Sequence, residues 1–425
     1  MVLPGTPQAG ASIDSSAHYA SQTLLQRCRI SFHRRRPCVA AAVASRSPLE
    51  PTMLTGTRVL DLTRVLAGPL ATMILGDLGA DVLKVERSDG GDETRGWGPP
   101  FDERGESAYY LSVNRNKKSV AIDLDAAADQ ALLRSLVAGA DVVMDNFRPG
   151  TLERRGIDPA ALLAAHPRLV WCTVTGFVPG SSRPGYDFVV QAERGWMAIT
   201  GEPGGAPMKV GVALADVVAG KDAAIAVLGA LVAVGRDRLR DPASRRLWIS
   251  LSRSATAALV NVAQNVLVGG GSAGRWGNAH PNLVPYQLFD APDAPLVVAV
   301  GSDAQWRACA LALGEPALAA DPRLATNAGR LAHRDEIVRA LAARIGQQPC
   351  DHWLARLAAA GVPAGRVRSV HEAVTAEGGS ALTGVAPSVP GTVRLPPPCL
   401  DEHGDMVRDH GWGVFTAVGE QRGQA

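Results

Sequence analysis

The chain of 425 residues has few of the features that mark metal sites, disulfide scaffolds or nucleic-acid binding. Its six cysteines are scattered and form no CxxC pair, so we predict no zinc site, no other metal site and no disulfide framework. Lysine and arginine total 43 against 41 acidic residues, and this near-balance argues against a dedicated nucleic-acid binder. No HExxH or P-loop motif occurs and the nine histidines are dispersed, so a serine hydrolase or a metalloenzyme is poorly supported.

Long uncharged apolar runs are also missing. No stretch of about 18 apolar residues lacks a charge, so we expect no transmembrane helix and no membrane partner. The absence of paired cysteines makes a reducing compartment, the cytoplasm, the expected location. Hydrophobic residues nevertheless make up 46% of the chain and charged residues 20%, which is enough for a sizeable folded core.

The first 50 residues differ in composition from the rest of the chain. They contain six arginines but only Asp14 and Glu50 as acids, and they show no stable hydrophobic period. We predict an N-terminal extension over residues 1–52 that is disordered or that reflects a mis-assigned start. A mitochondrial-type transit peptide is the alternative, because such peptides are rich in arginine and serine and poor in acids.

Beyond residue 56, short apolar segments alternate with helical ones. The pattern predicts strands at 57–62, 81–87, 119–124, 141–146 and 169–177, with helices at 71–80, 126–140 and 151–166. Such alternation is typical of parallel strands joined by helical crossovers. We therefore predict an α/β fold with a doubly wound, mostly parallel sheet of the nucleotide-binding type.

A second, smaller unit follows the sheet. We assign residues 53–250 to a large domain and residues 255–369 to a small α+β domain that includes a strand at 295–301. The segment 370–425 is rich in proline and glycine at first, and we expect it to return over the surface of the large domain.

One glycine-rich segment matches a cofactor motif by letters alone. Gly269, Gly271 and Gly274 fit GxGxxG, but they follow a predicted helix and precede Arg275 and a loop. Dinucleotide binding requires a strand, a tight turn and then a helix N-terminus. We therefore interpret the segment as a connector and predict no permanently bound cofactor.

Two carboxylates stand out by position. Asp216 interrupts the apolar run VGVALADVVAG, so it is either a helix N-cap or a carboxylate that faces a cleft and can act as a nucleophile. An N-cap would keep it ionised through backbone hydrogen bonds. Asp187 follows a turn and fits mainly a structural capping role. His280 lies in a polar loop, either near a pocket or at an ordinary surface position.

Several long motifs resemble the class III CoA-transferase family, also called CaiB/BaiF. They include VLDLTRVLAGPLATMILGDLGADVLKVER, NRNKKSVAIDL, DNFRPGTLERRGI, RPGYDF and GVALADVVAG, in that order. The resemblance extends from about Gly56 to about Asp405. It implies an enzyme that moves CoA from an acyl-CoA to a carboxylic acid, and an interlocked homodimer.

The resemblance also implies a mechanism and a nucleophile. Asp216 occupies the position of the family's catalytic aspartate. Its carboxylate would attack the acyl-CoA thioester to give a mixed anhydride, and returning CoA would form an enzyme thioester that passes CoA to the incoming acid. The site must exclude water, because water would hydrolyse the anhydride.

CoA-binding positions follow from the same motifs. The residues that the resemblance assigns to CoA are Val65, Leu66, Ala67, Arg87, Ile122, Asp123, Leu124, Asn146, Phe147, Arg148, Arg154, Tyr186 and Asp187. Arginines suit phosphates because their planar fork donates two parallel hydrogen bonds. The chain departs from the pattern at Asp125, where some members have a lysine for the CoA phosphate. That contact is either absent or supplied by Lys117 or Lys118.

The substrate acids are less defined. The stretch 278–287 is most similar to dicarboxylate enzymes of the family that use succinyl-CoA and glutarate, so we expect a dicarboxylate acceptor, with Arg275 or His280 binding its distal carboxylate.

Two alternatives stay open: an acyl-CoA racemase or isomerase of the same family, and a CoA-binding protein without turnover. Racemases of the family pair the aspartate with a histidine where this chain has Tyr186, and tyrosine is a poor base at neutral pH.

Overall fold

The computed structural model describes residues 52–416. The predictions for the N-terminal extension therefore fall almost wholly outside the described residues. The main feature is a six-stranded parallel sheet with the strand order β3-β2-β1-β4-β5-β6. Its strands are β1 Arg58–Leu62, β2 Asp81–Glu86, β3 Lys117–Ala121, β4 Val142–Asp145, β5 Val170–Thr175 and β6 Arg246–Ser250. This order is that of the doubly wound nucleotide-binding fold, as the sequence predicted.

Helices connect and cover the strands of the sheet. The helices of this part are α1 Ala67–Asp77, α2 Ala108–Leu111, α3 Ala127–Ala138, α4 Pro159–Ala165, α5 Asp187–Glu193, α6 Trp196–Ile199, α7 Leu214–Gly235, α8 Leu251–Ala257 and α9 Val260–Gly269. Short 3-10 helices lie at Glu93–Gly96, Glu153–Arg155 and Pro242–Arg245.

Both faces of the sheet are buried, which explains why its central strands have continuous apolar runs. In β1, Val59 packs on the face covered by α1 and α7, whereas Leu60 packs on the face covered by α3 and α4. Consecutive strand side chains point to opposite faces, so two helical layers cover one sheet. The fold class predicted from the alternating pattern is confirmed.

Three elements of this domain differ from the predictions. The predicted helix at 151–166 is divided into the 3-10 helix Glu153–Arg155 and helix α4, Pro159–Ala165. Helix α1 begins at Ala67 rather than residue 71, and Pro69 lies in its first turn, where a missing amide hydrogen has no helical partner to lose. Strand β6 was not predicted, because the segment RLWIS mixes charged and polar side chains with apolar ones. It pairs on one side only, with β5, and edge strands tolerate such composition.

Helix α7 is the longest described helix and the most apolar. It is the one helix within residues 52–416 that has the length and composition to cross a membrane, with a mean hydropathy of 2.0. One third of its most apolar window is buried. Its buried residues, among them Ala215, Ala219 and Ala223, belong to the core that α1 shares, so the helix has a clear packing role within the fold.

Residues 284–362 form a separate hydrophobic core around a small antiparallel sheet. The strands are β7 Tyr286–Asp290, β8 Pro295–Ala299 and β9 Ala364–Arg366. The helices are α10 Asp303–Ala312, α11 Pro316–Ala320, α12 Asn327–Ala332, α13 Arg334–Ile345, α14 Cys350–Ala359 and α15 Val370–Ala376, with a 3-10 helix at Pro322–Leu324. The segment 269–285 is irregular, as predicted.

The last described segment returns to the large sheet. Asn116 hydrogen-bonds the backbone of Arg394 and Leu395, and Arg394 donates to the carbonyls of Gly76 and Ala80. Helix α16, Gly404–His410, packs beside β3, and the 3-10 helix Gly411–Phe415 ends the described chain. These contacts attach the carboxyl-terminal segment to the large domain.

Candidate active site

A cavity of about 230 Å³ lies at the carboxyl ends of β1, β4 and β5. The loop after β1 and the loop after β4 form two of its walls. Strand order reverses between these two strands, and ligands of open α/β sheets bind at such a switch point. The predicted residues that line this cavity are Val65, Leu66, Ala67, Asn146, Phe147, Arg148, Tyr186 and Asp216.

The loop after β1 is held in a strained conformation. Val65 has φ of 72°, a left-handed value that is rare for a β-branched residue. Its amide donates to both carboxylate oxygens of Asp92 at 3.3 Å. The side chain of Asn146 clamps the neighbouring Arg64, accepting from its amide at 3.2 Å and donating to its carbonyl at 2.8 Å. These bonds impose the conformation that the sequence alone disfavours.

A network of buried charges supports this loop from below. Lys84 is fully buried and donates to Asp92 at 3.1 Å and to the carbonyl of Thr63 at 2.9 Å. Glu86 accepts two hydrogen bonds from Arg95, at 2.9 and 2.7 Å. Buried charges are tolerated only when paired and hydrogen-bonded, so each residue of the network depends on the others. The network therefore fixes the loop after β1, which forms one wall of the cavity.

Asp216 lies in the first turn of α7, two residues after the first helical position. The N-cap position belongs to Ala213, and no side chain caps the helix, so the N-cap interpretation of Asp216 is wrong. Its carboxylate accepts no hydrogen bond from any residue between 52 and 416 and is instead part of the cavity wall. Burial, and secondarily the charge of Asp187, raises the pKa of Asp216 to about 7. A carboxyl group so placed is half ionised near neutrality.

Asp187 lies behind the cavity wall rather than in it. Its Oδ1 accepts from the amide of Ala215 at 2.8 Å, and its Oδ2 accepts from the buried Gln191 at 2.7 Å. The same glutamine accepts from the amide of Val210 at 2.9 Å. Asp187 therefore fixes the start of α7, which supports the capping interpretation over direct contact with CoA.

Two close backbone approaches shape the cavity. A Cβ on Gly220 would lie 2.6 Å from the carbonyl oxygen of Ala67, so glycine lets α7 pack directly on the start of α1. Gly185, next to Tyr186, lies against Gly176 at the end of β5, where a Cβ on either residue would lie within 2.4 Å of the other's Cα. The first contact joins two segments that are distant in sequence, and the second closes the loop between β5 and α5. Ala67, Gly176 and Gly185 all line the cavity of Asp216.

A second cavity of about 430 Å³ adjoins the first and shares Arg64 and Phe147 as wall residues. It lies beyond the ends of β2 and β3. The predicted residues that line it are Arg87, Ile122, Asp123, Leu124 and Phe147. Apolar groups such as Leu133 and Leu152 line it together with charged ones, as suits a ligand that combines a flat ring with charged groups.

Some predicted residues lie elsewhere. Arg154 is exposed and outside both cavities, whereas its neighbour Arg155 lines the second one. Lys117 is fully buried and donates to Asp61, the carbonyl of Pro69 and Asn114. Lys118 donates to the carbonyl of Val414. Neither lysine lines the cavity in which Asp125 lies, so neither replaces the missing family lysine there.

Arg275 and His280 do not enter the cavity of Asp216. Arg275 donates to the carbonyl of Gly205 at 2.5 Å and lines a different groove beside α9. His280 accepts from the amide of Asn282 at 3.0 Å and packs on the ring of Tyr286. Their proposed contact with the acceptor acid is not supported by this arrangement.

The sequence interpretation missed several residues of the Asp216 cavity. Arg64, Arg183 and Leu251 all line it. Arg64 and Arg183 both lie inside recognised motifs, VLDLTRVLAG and RPGYDF, so membership of a motif was the available signal. Leu251 starts α8 after β6, a strand that the pattern did not reveal.

Comparisons with known proteins agree with this geometry. Residues 54–393 match the model described as CoA-transferase family III. The succinate–glutarate CoA-transferase of Agrobacterium fabrum is 38% identical over 381 residues, which span 83% of this chain and 94% of that protein. The succinyl-CoA:glutarate CoA-transferase of Mus musculus is 40% identical over 322 residues, or 75% of this chain and 73% of that protein. A crystal structure of a CAIB/BAIF family protein from Brucella suis has a TM-score of 0.72 at 38% identity, covering 84% of this chain and 99% of that one.

Proposed function

The chain belongs to CoA-transferase family III, and we propose that it transfers CoA from succinyl-CoA to a dicarboxylic acid such as glutarate, through Asp216. Two relatives at 38% and 40% identity carry names with these substrates, which supports the choice of donor and acceptor. The observation that carries the proposal is the position of Asp216. Its carboxylate lies in a cavity with predicted CoA-binding residues, and its pKa of about 7 leaves a substantial ionised fraction at neutral pH.

The proposed reaction proceeds by four acyl exchanges. The Asp216 carboxylate attacks the succinyl thioester, the carbon–sulfur bond breaks, and CoA departs as the thiolate. The product on the enzyme is an aspartyl succinyl anhydride. The thiolate then attacks the aspartyl carbonyl of the anhydride and releases succinate. This attack converts Asp216 into an enzyme-bound CoA thioester. A glutarate carboxylate attacks the aspartyl carbonyl of this thioester, which releases CoA thiolate and forms an aspartyl glutaryl anhydride. The thiolate finally attacks the glutaryl carbon, which yields glutaryl-CoA and the free carboxylate.

Isotope transfer tests this sequence of steps directly. Glutarate that carries heavy oxygen in its carboxylates must leave one labelled oxygen on Asp216 after each complete turnover, because the last thiolate attack breaks the bond between that oxygen and the glutaryl carbon. Digestion and mass spectrometry of the Asp216 peptide measure the label. Asp216→Ala serves as the control for both label and product. Formation of glutaryl-CoA without any label on Asp216 would contradict the proposed mechanism.

The distal carboxylate of the acceptor needs a cation in the same cavity. Arg183 meets this need, because it lines the cavity with Asp216 and its guanidinium lies 4.1 Å above the ring of Phe177. Its partner Glu193 accepts at 2.5 Å, but the arginine side chain stays 56% exposed, so an incoming carboxylate can reach it. We assign the acceptor contact to Arg183 in place of Arg275 and His280.

We also propose that the protein is a homodimer. Helix α9 has no buried residue, and its Leu267 and Val268 are 77% and 78% exposed. Ile225 and Val232 of α7 are exposed as well. Large apolar side chains grouped on helices in this way are typical of an interface, and the family resemblance supports a second copy of the chain as its partner. Sedimentation of the wild type and of Leu267→Glu/Val268→Glu tests this, and a monomeric wild type contradicts it.

A further inference from the structure

The second cavity contains an arginine that no family motif assigned to ligand binding. Arg155 ends the 3-10 helix Glu153–Arg155, and its side chain is only 30% exposed. It forms an ion pair with Asp125, the residue at which the chain departs from the family lysine; Nε lies 3.0 Å from Oδ1. The pair therefore places a cation in the cavity despite that departure.

The bonds of Arg155 are long or poorly aligned. Nη2 donates to Asp125 at 3.3 Å and Nη1 to the carbonyl of Thr151 at 3.4 Å. Nε is buried and makes no hydrogen bond with any described residue, although it is close to the Asp125 carboxylate. Well-formed charge-assisted bonds are shorter, about 2.7–2.9 Å. The guanidinium thus retains unused donor capacity.

Asp125 can be displaced by a stronger anion. Its side chain is 75% exposed, and an exposed ion pair contributes at most about 1 kcal/mol. A phosphate monoester carries up to two charges at neutral pH and offers three oxygens to the planar guanidinium fork. A phosphate in the cavity would therefore take over the donors that Asp125 holds weakly.

The position in the fold identifies which phosphate would meet Arg155. In doubly wound sheets, residues beyond the second strand recognise the ribose hydroxyls or a phosphate carried on them. The cavity extends from the end of β2 at Arg87 to the loop after β3 at Asp125, with Arg155 facing it from the segment after β4. A phosphate on the ribose would thus lie on the Asp125 side of the cavity, away from Asp216.

We propose that Arg155 binds the phosphate on the ribose of CoA and that Asp125 holds its guanidinium in the cavity until the phosphate displaces it. This inference rests on the proposed function, because it assumes that the ligand is CoA. It makes the Asp125–Arg155 pair a determinant of specificity for CoA over its dephosphorylated form.

Calorimetric titration of the full chain with CoA and with 3′-dephospho-CoA tests the proposal. The wild type is expected to prefer CoA by about 10- to 100-fold, the range for hydrogen bonds to charged groups. Arg155→Ala is expected to lose this preference while its affinity for 3′-dephospho-CoA stays unchanged, which also shows that the variant is folded. Asp125→Asn is expected to bind CoA more tightly than the wild type and 3′-dephospho-CoA equally well.

Two further variants separate the competing arginines. Arg154→Ala and Arg87→Ala are expected to keep the preference for CoA, because Arg154 lies outside the cavity and Arg87 is held by the carbonyl of Gly91 at 3.0 Å. Loss of the preference in either variant, with Arg155→Ala unaffected, overturns the assignment. A wild type that binds neither ligand refutes CoA binding itself, whereas binding without any Arg155 effect refutes only this inference.

Discussion

Asp187 accepts a hydrogen bond from the backbone amide of Ala215, and this bond sets the start of the helix that carries Asp216 in its first turn. The same contact brings a second negative charge close to the nucleophile. Burial and that charge both disfavour the ionised form of Asp216, and together they raise its pKa to about 7. One residue therefore both positions the nucleophile and reduces its ionised fraction.

The first prediction concerns pH. Only ionised Asp216 can attack a thioester, so kcat/KM for succinyl-CoA should rise with pH and level off above a midpoint near 7. Asp187→Asn should move this midpoint to lower pH, because it removes the neighbouring charge but not the burial. Initial rates across the pH range measure both curves. Identical midpoints in the wild type and the variant would show that Asp187 does not act electrostatically.

The second prediction concerns stability. A carboxyl group whose folded pKa is raised loses stability as pH increases from its ordinary value near 3.8 to about 7, because the unfolded chain ionises first. Asp216→Asn removes this cost. The variant should unfold at a higher denaturant concentration than the wild type near pH 8, with a gain on the order of 2 kcal/mol after allowance for partial solvent access.

The pH dependence provides the control for this second prediction. Near pH 4 the folded wild type carries a neutral Asp216, and the difference between the two proteins should nearly vanish. Urea titrations at several pH values test this. A gain that stays constant across the whole range would point to a packing effect of the amide rather than to relief of buried charge.

The third prediction concerns the contact between α7 and α1. Gly220→Ala places a methyl group 2.6 Å from the carbonyl oxygen of Ala67, and overpacking of this kind costs about 1–3 kcal/mol. Activity should fall as well, because α7 carries Asp216 and α1 begins at the cavity wall. Denaturant midpoints and turnover measure the two effects.

Gly235, at the end of the same helix, offers a matched control. A Cβ at this position would meet no atom within 4 Å, so Gly235→Ala should leave stability unchanged or raise it by up to about 1 kcal/mol through helix propensity. Equal effects of the two substitutions would show that the close approach at Gly220 is not needed for packing.

The fourth prediction concerns acceptor choice. Arg183→Ala should raise KM for glutarate about tenfold or more, in line with the loss of a charge-assisted hydrogen bond, while KM for succinyl-CoA changes less. A monocarboxylic acid of similar length should be affected little. Arg275→Ala, in a residue that lies outside this cavity, provides the comparison. A selective effect of Arg275→Ala on glutarate would return the assignment to that residue.

Much of this molecule could be predicted from local patterns. Strands β1, β4 and β5 of the parallel sheet are short, mainly apolar runs, and long motifs in fixed order indicated the family that the comparisons then showed. The motif residues Val65, Asn146 and Asp216 meet in one cavity because parallel strands place the loops after them at one edge. Periodicity and motif order are local properties, and a sequence displays them without reference to the rest of the chain.

Tertiary contacts decided the rest. Only the folded chain shows that Lys117 and Lys118 are committed elsewhere, that Arg155 rather than Arg154 faces the second cavity, and that Asp216 is a partly desolvated carboxyl group instead of a helix cap. Adjacent residues in an irregular segment have no fixed period that assigns one of them to the interior. The pKa of a carboxyl group depends on burial and on charges from distant segments, and these quantities come into existence only when the chain has packed.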